Sequence, residues 1–173
     1  MVTATKSLFN AFADDTNIPQ IFEQTSLALK KRNLRGLYMA MAMIKIKGGN
    51  MTISAAGMPS ALIYREATKQ VEEIAIRAMP LGSMSSFPYK QQELNLLVGD
   101  TVVLMSDGFP ETFNEQGEIL DYGKAKTVLK EIAQASPQEI INRFIEVGEQ
   151  WAGVRPQDDD VTFVVLKVKD KTA

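Results

Sequence analysis

From Leu37 to Ser106 the chain shows no helical period; short apolar runs are broken repeatedly by turn residues. A succession of short strands without intervening helices implies antiparallel sheet, not βαβ units. The spacing predicts strands at 37–47, 50–56, 61–65, 71–75, 90–97 and 101–106. Gly48–Gly49–Asn50 joins the first two and is a hairpin signal. Met39, Met41 and Met43 alternate with Ala40, Ala42 and Ile44, a pattern that places the methionines in a core.

Helices flank this region. Residues 1–13 read as a helix with Val2, Leu8, Phe9 and Phe12 on one face and no N-cap, and Asp14–Asp15–Thr16–Asn17 reads as a turn. Asn17 with Gln20, and Pro19 in the first turn, opens a second helix that runs to about Asn33, with Lys30, Lys31 and Arg32 complementing its dipole. A third helix is expected from about Asp121 to Ala135, with Ala125, Val128, Leu129 and Ile132 inward. Ser136–Pro137–Gln138–Glu139 is a capping box with proline at the first helical position, and starts a fourth helix that ends near Ala152. A last strand covers 161–168. The class that follows is α+β, an antiparallel β-sandwich flanked by helices, in one domain over residues 1–173.

Composition narrows the chemistry. The chain has no cysteine and no histidine, which removes thiolate and His-ligated metal sites and any histidine base. Carboxylates, hydroxyls, amines and water are left. A net charge of −2 offers no electrostatic case for nucleic acid or an anionic membrane surface. The longest apolar run, Leu37 to Ile44, is far short of a membrane span, and the reading is cytoplasmic.

Two acidic stretches stand at strand ends. Val102 to Met105 is an apolar run, covered on both faces, that stops at Ser106–Asp107–Gly108. Asp158–Asp159–Asp160 precedes the strand at 161–168. Antiparallel pairing of these strands brings Asp107 and the triple aspartate to one sheet end. Several carboxylates packed together repel by a few kcal/mol unless a cation sits among them, and oxygen-only sets suit Mg²⁺ or Mn²⁺.

Further pieces recur in a fixed order: Asn50 to Arg65 containing Gly57–Met58–Pro59, then Met79–Pro80–Leu81–Gly82, then Leu97–Val98–Gly99–Asp100. Ser106–Asp107–Gly108 follows, then Asn114, Gly117–Glu118 and Tyr122–Gly123, and finally Asp158–Asp159–Asp160–Val161–Thr162. This ordered set resembles the metal-dependent protein phosphatases, protein phosphatase 2C-like, in the bacterial SpoIIE branch that controls sigma-factor regulators. The resemblance implies a sandwich of two antiparallel sheets flanked by helices. It implies a binuclear Mn²⁺ or Mg²⁺ centre hydrolysing phosphoserine or phosphothreonine, with Asp107 and Asp159 as metal ligands. The implied partners are a phosphorylated regulatory protein, such as an anti-sigma-factor antagonist, and an upstream sensor domain in the parent chain.

The chain departs from that pattern in three places. Met58 stands where the family has histidine, and the loop from Gly117 to Gly123 is longer. The family's upstream metal-bridging aspartate has no counterpart, because Asp14–Asp15 lie in a helix–helix turn. The expectation is therefore a domain lacking its N-terminal strands, inactive or nearly so by itself. An opened sheet edge is expected either to form a homodimer or to be covered by helix 1–13. Two other readings stay open: a non-catalytic phosphatase-like interaction module, and a response-regulator receiver domain built around Asp107 and Pro110.

Overall fold

The computed structural model describes residues 2–12, 17–32 and 36–170. The expected turn at Asp14–Asp15–Thr16 lies outside the described residues. The chain divides into two compact units, Met1–Met58 with Ile76–Asn95, and Pro59–Ala75 with Leu96–Ala173. Every strand pairing is antiparallel, and no helix lies between residues 40 and 100. The fold is α+β, as expected, and the receiver reading, which needs strands alternating with helices, is overturned.

The first unit holds α1 (Val2–Phe12), α2 (Ile18–Lys31), β1 (Met41–Lys47), β2 (Asn50–Ala56) and β5 (Gln91–Asn95). Its sheet runs β1-β2-β5. Asn17 caps α2 by accepting from the Gln20 backbone N–H at 3.2 Å. Ile18, Ile21, Phe22 and Leu29 of α2 bury with Met43, Ala56, Leu81 and Tyr89. Met39 and Met41 pack against the same cluster, so the methionine stripe is core. Strand structure begins at Met41 rather than Leu37, since Leu37 and Tyr38 are exposed and Met39 forms only a bridge to Leu81. Gly57 has φ +67°, and a Cβ there would stand 2.6 Å from the Pro80 ring. That contact explains why a glycine stands in the Gly57–Met58–Pro59 element.

The second unit carries β3 (Ala61–Arg65), β4 (Gln70–Ile74), β6 (Thr101–Met105), α3 (Asp121–Ile132), α4 (Pro137–Ala152) and β7 (Phe163–Lys167). Its sheet order is β4-β3-β6-β7. Leu62, Val103 and Met105 bury with Leu129, Ile140 and Phe144. At α4 both capping-box bonds are present: Ser136 Oγ accepts from the Glu139 N–H, and the Glu139 carboxylate accepts from the Ser136 N–H. Those bonds, the Ser136 side chain first, hold the Glu139 carboxyl below its ordinary 4.5. Helix α3 stops at Ile132, short of Ala135, where the Ala133 and Ala135 carbonyls accept from Lys167 Nζ at 2.9 Å each. It starts on Asp121, whose φ of +67° is the left-handed conformation that aspartate tolerates, and whose side chain accepts from the Lys124 N–H at 3.0 Å. Asp121 thus acts as the cap of α3.

An ion pair between the partly exposed Arg65 and the buried Asp100 closes the entrance of β6. Asp100 is 1% exposed and accepts from Arg65 Nη1 at 2.9 Å, the Glu66 N–H at 2.9 Å and the Leu97 N–H at 3.1 Å. Burial alone would lower the Arg65 pKa, but its bonds to Asp100 and Glu72 raise it further. Arg65 is therefore a permanent cation.

Candidate functional site

The site begins where β6 ends. Val102, Val103 and Met105 are buried, so the strand is a fixed platform. Phe109 pins the turn that follows: it is 1% exposed and its ring lies 5.1 Å from both Phe144 and Phe163. Gly148 of α4 faces that ring, and a Cβ there would come within 3.4 Å of it. The turn is closed by the Glu111 N–H on the Asp107 carbonyl at 3.0 Å and by Thr112 Oγ1 on the Gly108 carbonyl at 2.7 Å. Between a buried strand and a buried ring, Asp107 has a rigid backbone and an exposed side chain. Among the described residues nothing donates to its carboxylate.

Pairing of β6 with β7, in which Met105 faces Phe163, brings the closing acidic segment to the same sheet end. Ser106 fastens it there: its Oγ donates to the Asp160 carbonyl and accepts from the Thr162 N–H, both at 2.9 Å, and its N–H donates to the Thr162 carbonyl at 3.0 Å. Gly108 permits the approach, since a Cβ there would stand 2.5 Å from the Asp160 carbonyl oxygen. Asp107, Glu111, Asp158 and Asp159 consequently line one cavity of about 240 Å³, with Thr112, Phe113 and Gln157.

The four carboxylates expected to crowd there do not form a cluster. Asp158 is engaged by Arg155, whose Nη2 and Nε reach its Oδ2 at 3.0 and 3.2 Å. Asp159 Oδ1 accepts from the Asp160 N–H at 2.7 Å. Asp160 is not among the residues that line the cavity. Among the described residues no three acidic groups stand close enough to hold a metal ion. Local donors have taken two of these carboxylates.

Two residues of the ordered motif set, Ser106 and Asn114, have supporting roles that the sequence did not reveal. Ser106 is the clamp just described, and Asn114 organises the loop after the turn. Its buried amide accepts from the N–H groups of Gln116 and Glu118 and donates to the Glu118 carboxylate at 2.9 Å. Trp151 Nε1 donates to the Glu118 carbonyl at 3.3 Å, which ties this loop to α4.

Comparison with known proteins fits this geometry. The family model for stage II sporulation protein E, SpoIIE, matches residues 1–169. The chain belongs to the SpoIIE family. It is 27% identical over 122 residues to the phosphoserine phosphatase RsbU of Bacillus subtilis, covering 68% of this chain and 35% of that protein. The SiaA-PP2C domain of Pseudomonas aeruginosa superposes with a TM-score of 0.82 at 19% identity, over 96% of this chain and 66% of that one. The catalytic domain of the serine threonine protein phosphatase PstP, solved with two manganese ions, gives 0.72 at 15% identity, over 97% and 80%. The SpoIIE-family chain therefore has a protein phosphatase 2C-like fold of the SpoIIE/RsbU type. It spans about a third of RsbU and about two thirds of the SiaA domain.

The acids of this SpoIIE-family site suit manganese or magnesium in kind, being hard oxygen donors at a solvent-open strand exit. The glycine cradle at Gly108 brings the two acidic segments into backbone contact. In number the set is short, because among the described residues no three acidic groups come together, whereas such an ion takes about six oxygens.

Proposed function

We propose that this domain is part of a Mn²⁺- or Mg²⁺-dependent phosphoserine/phosphothreonine protein phosphatase of bacterial signal transduction. Asp107 and Asp159 are its metal ligands and catalytic residues. The observation that carries the reading is the single cavity that both acids line, with Asp107 exposed on a rigid turn and unbonded by its neighbours. A divalent ion held there supplies charge against phosphoryl oxygens and acidifies a bound water. Asp107 and Asp159 offer oxygens, Ser106 sets the spacing of the two backbones, and with no histidine in the chain the leaving-group proton comes from water.

The substrate proposed is a small phosphorylated regulatory protein, such as an anti-sigma-factor antagonist. The support is that the relative RsbU is named a phosphoserine phosphatase. A sensor domain elsewhere in the parent chain, self-association through an open sheet edge and a cytoplasmic location complete the proposal. Among the described residues no helix is long and apolar enough to cross a membrane. With two ligands of a binuclear set, these 173 residues alone are expected to turn over slowly or not at all. The test is Mn²⁺-dependent hydrolysis of a phosphoserine peptide by the full-length gene product, in which D107N and D159N should each abolish turnover. The shortage of acids favours a second reading, a phosphatase-like interaction module without chemistry. Absence of turnover in the full-length product would select it.

A further inference from the structure

Arg155 is the one cationic side chain among the residues that line the acidic cavity and the larger groove beside it. That groove, about 560 Å³, lies between α4 and the closing segment and shares Thr112 and Gln157 with the acidic cavity. Arg155 lines the groove and reaches two residues that line the acidic cavity, Asp158 and Phe113.

Its backbone is held from both sides. The Arg155 N–H donates to the Ala152 carbonyl at 3.1 Å, and the Val154 N–H donates to Glu115 Oε1 at 3.1 Å. Gly153, with φ +62°, lets the chain turn off α4, and a Cβ there would meet Glu115 Oε1 at 2.6 Å. Pro156 restricts the backbone of Arg155, the residue before it. The head group is oriented as well. The guanidinium lies 5.2 Å from the centroid of the Phe113 ring, and two of its nitrogens rest on one oxygen of Asp158.

It is not sealed, however. The side chain is 39% exposed, and Asp158 engages two of the five N–H donors a guanidinium carries. A surface pair of this kind contributes little to stability. A planar, permanently charged fork is the group that best matches phosphate oxygens. A cavity lined by Asp107, Glu111, Asp158 and Asp159 would otherwise repel a phosphate dianion.

We infer that Arg155 receives the phosphoryl oxygens of the substrate's phosphorylated side chain at the mouth of the acidic cavity. It is a substrate-binding residue, with Phe113 and Asp158 holding the guanidinium ready. The inference rests on the phosphatase reading above.

The experiment is steady-state kinetics of the full-length gene product with Mn²⁺ and a phosphoserine peptide, using inorganic phosphate as inhibitor. For R155A the expected result is a KM and a phosphate inhibition constant each raised about tenfold, with kcat within about threefold. R155K, which keeps the charge and loses the fork, should fall between, at about threefold. Melting temperatures should match wild type, and if R155A does not fold, R155K decides. An active wild type whose variants keep KM and phosphate inhibition within twofold overturns the inference and leaves the phosphatase reading intact. A wild type with no turnover overturns the phosphatase reading, and the inference falls with it.

Discussion

Strand β6 carries an aspartate just outside each end, and the two have opposite surroundings. At the entrance Asp100 is buried and accepts three hydrogen bonds, one from a guanidinium and two from backbone N–H groups. At the exit Asp107 is exposed, lines a cavity and accepts none among the described residues. A buried carboxylate both of whose oxygens are hydrogen-bonded holds structure together. One whose backbone is rigid and whose oxygens are free is prepared for something that arrives later. The same strand thus uses one residue type for folding and, in our proposal, for chemistry.

The largest effect on stability is expected at Asp100. D100N keeps the shape and removes the charge from a buried site that accepts three hydrogen bonds, while Arg65, 16% exposed, keeps its Glu72 partner; the expected loss is about 2–3 kcal/mol by chemical denaturation. A loss under about 1 kcal/mol would show that the entrance pair is not the structural partner of the comparison. Next comes G108A. A methyl group 2.5 Å from the Asp160 carbonyl forces the two acidic segments apart, at a cost of about 1–3 kcal/mol. A crystal structure of G108A should show the backbone of residues 159–160 displaced from the β6 exit.

Away from the strand, S136A removes the cap of α4 and should cost about 1 kcal/mol in thermal or denaturant unfolding. The partner Glu139 gives a pH signature. Its folded pKa lies below 4.5, so its contribution is present above the unfolded value and is lost as pH falls through the folded one. Acid titration of E139Q should accordingly lose less stability than wild type between about pH 5 and 3.

How much of this was legible in sequence follows from the range of each interaction. The capping box of α4 and the hairpin at Gly48–Gly49 are local, and both are found where the residues place them. The acids at the ends of the sixth and seventh strands were readable because antiparallel pairing alone brings them together. Asp100 was not readable, since as sequence it is a turn residue after Gly99 and its partner Arg65 is 35 positions away. The left-handed start of α3 at Asp121 was equally hidden, as was the Ser106 clamp across 54 positions. The crowding of four carboxylates was overestimated because Arg155, three residues from Asp158, was not weighed as its partner.

The most direct test of the contrast is D107N, assayed for both unfolding free energy and Mn²⁺-dependent phosphoserine hydrolysis in the full-length gene product. The account predicts stability within about 0.5 kcal/mol of wild type, because an exposed, unbonded carboxylate supports nothing in the fold, together with loss of turnover by at least about a hundredfold. Wild-type turnover in D107N, or a stability loss as large as that of D100N, would contradict it.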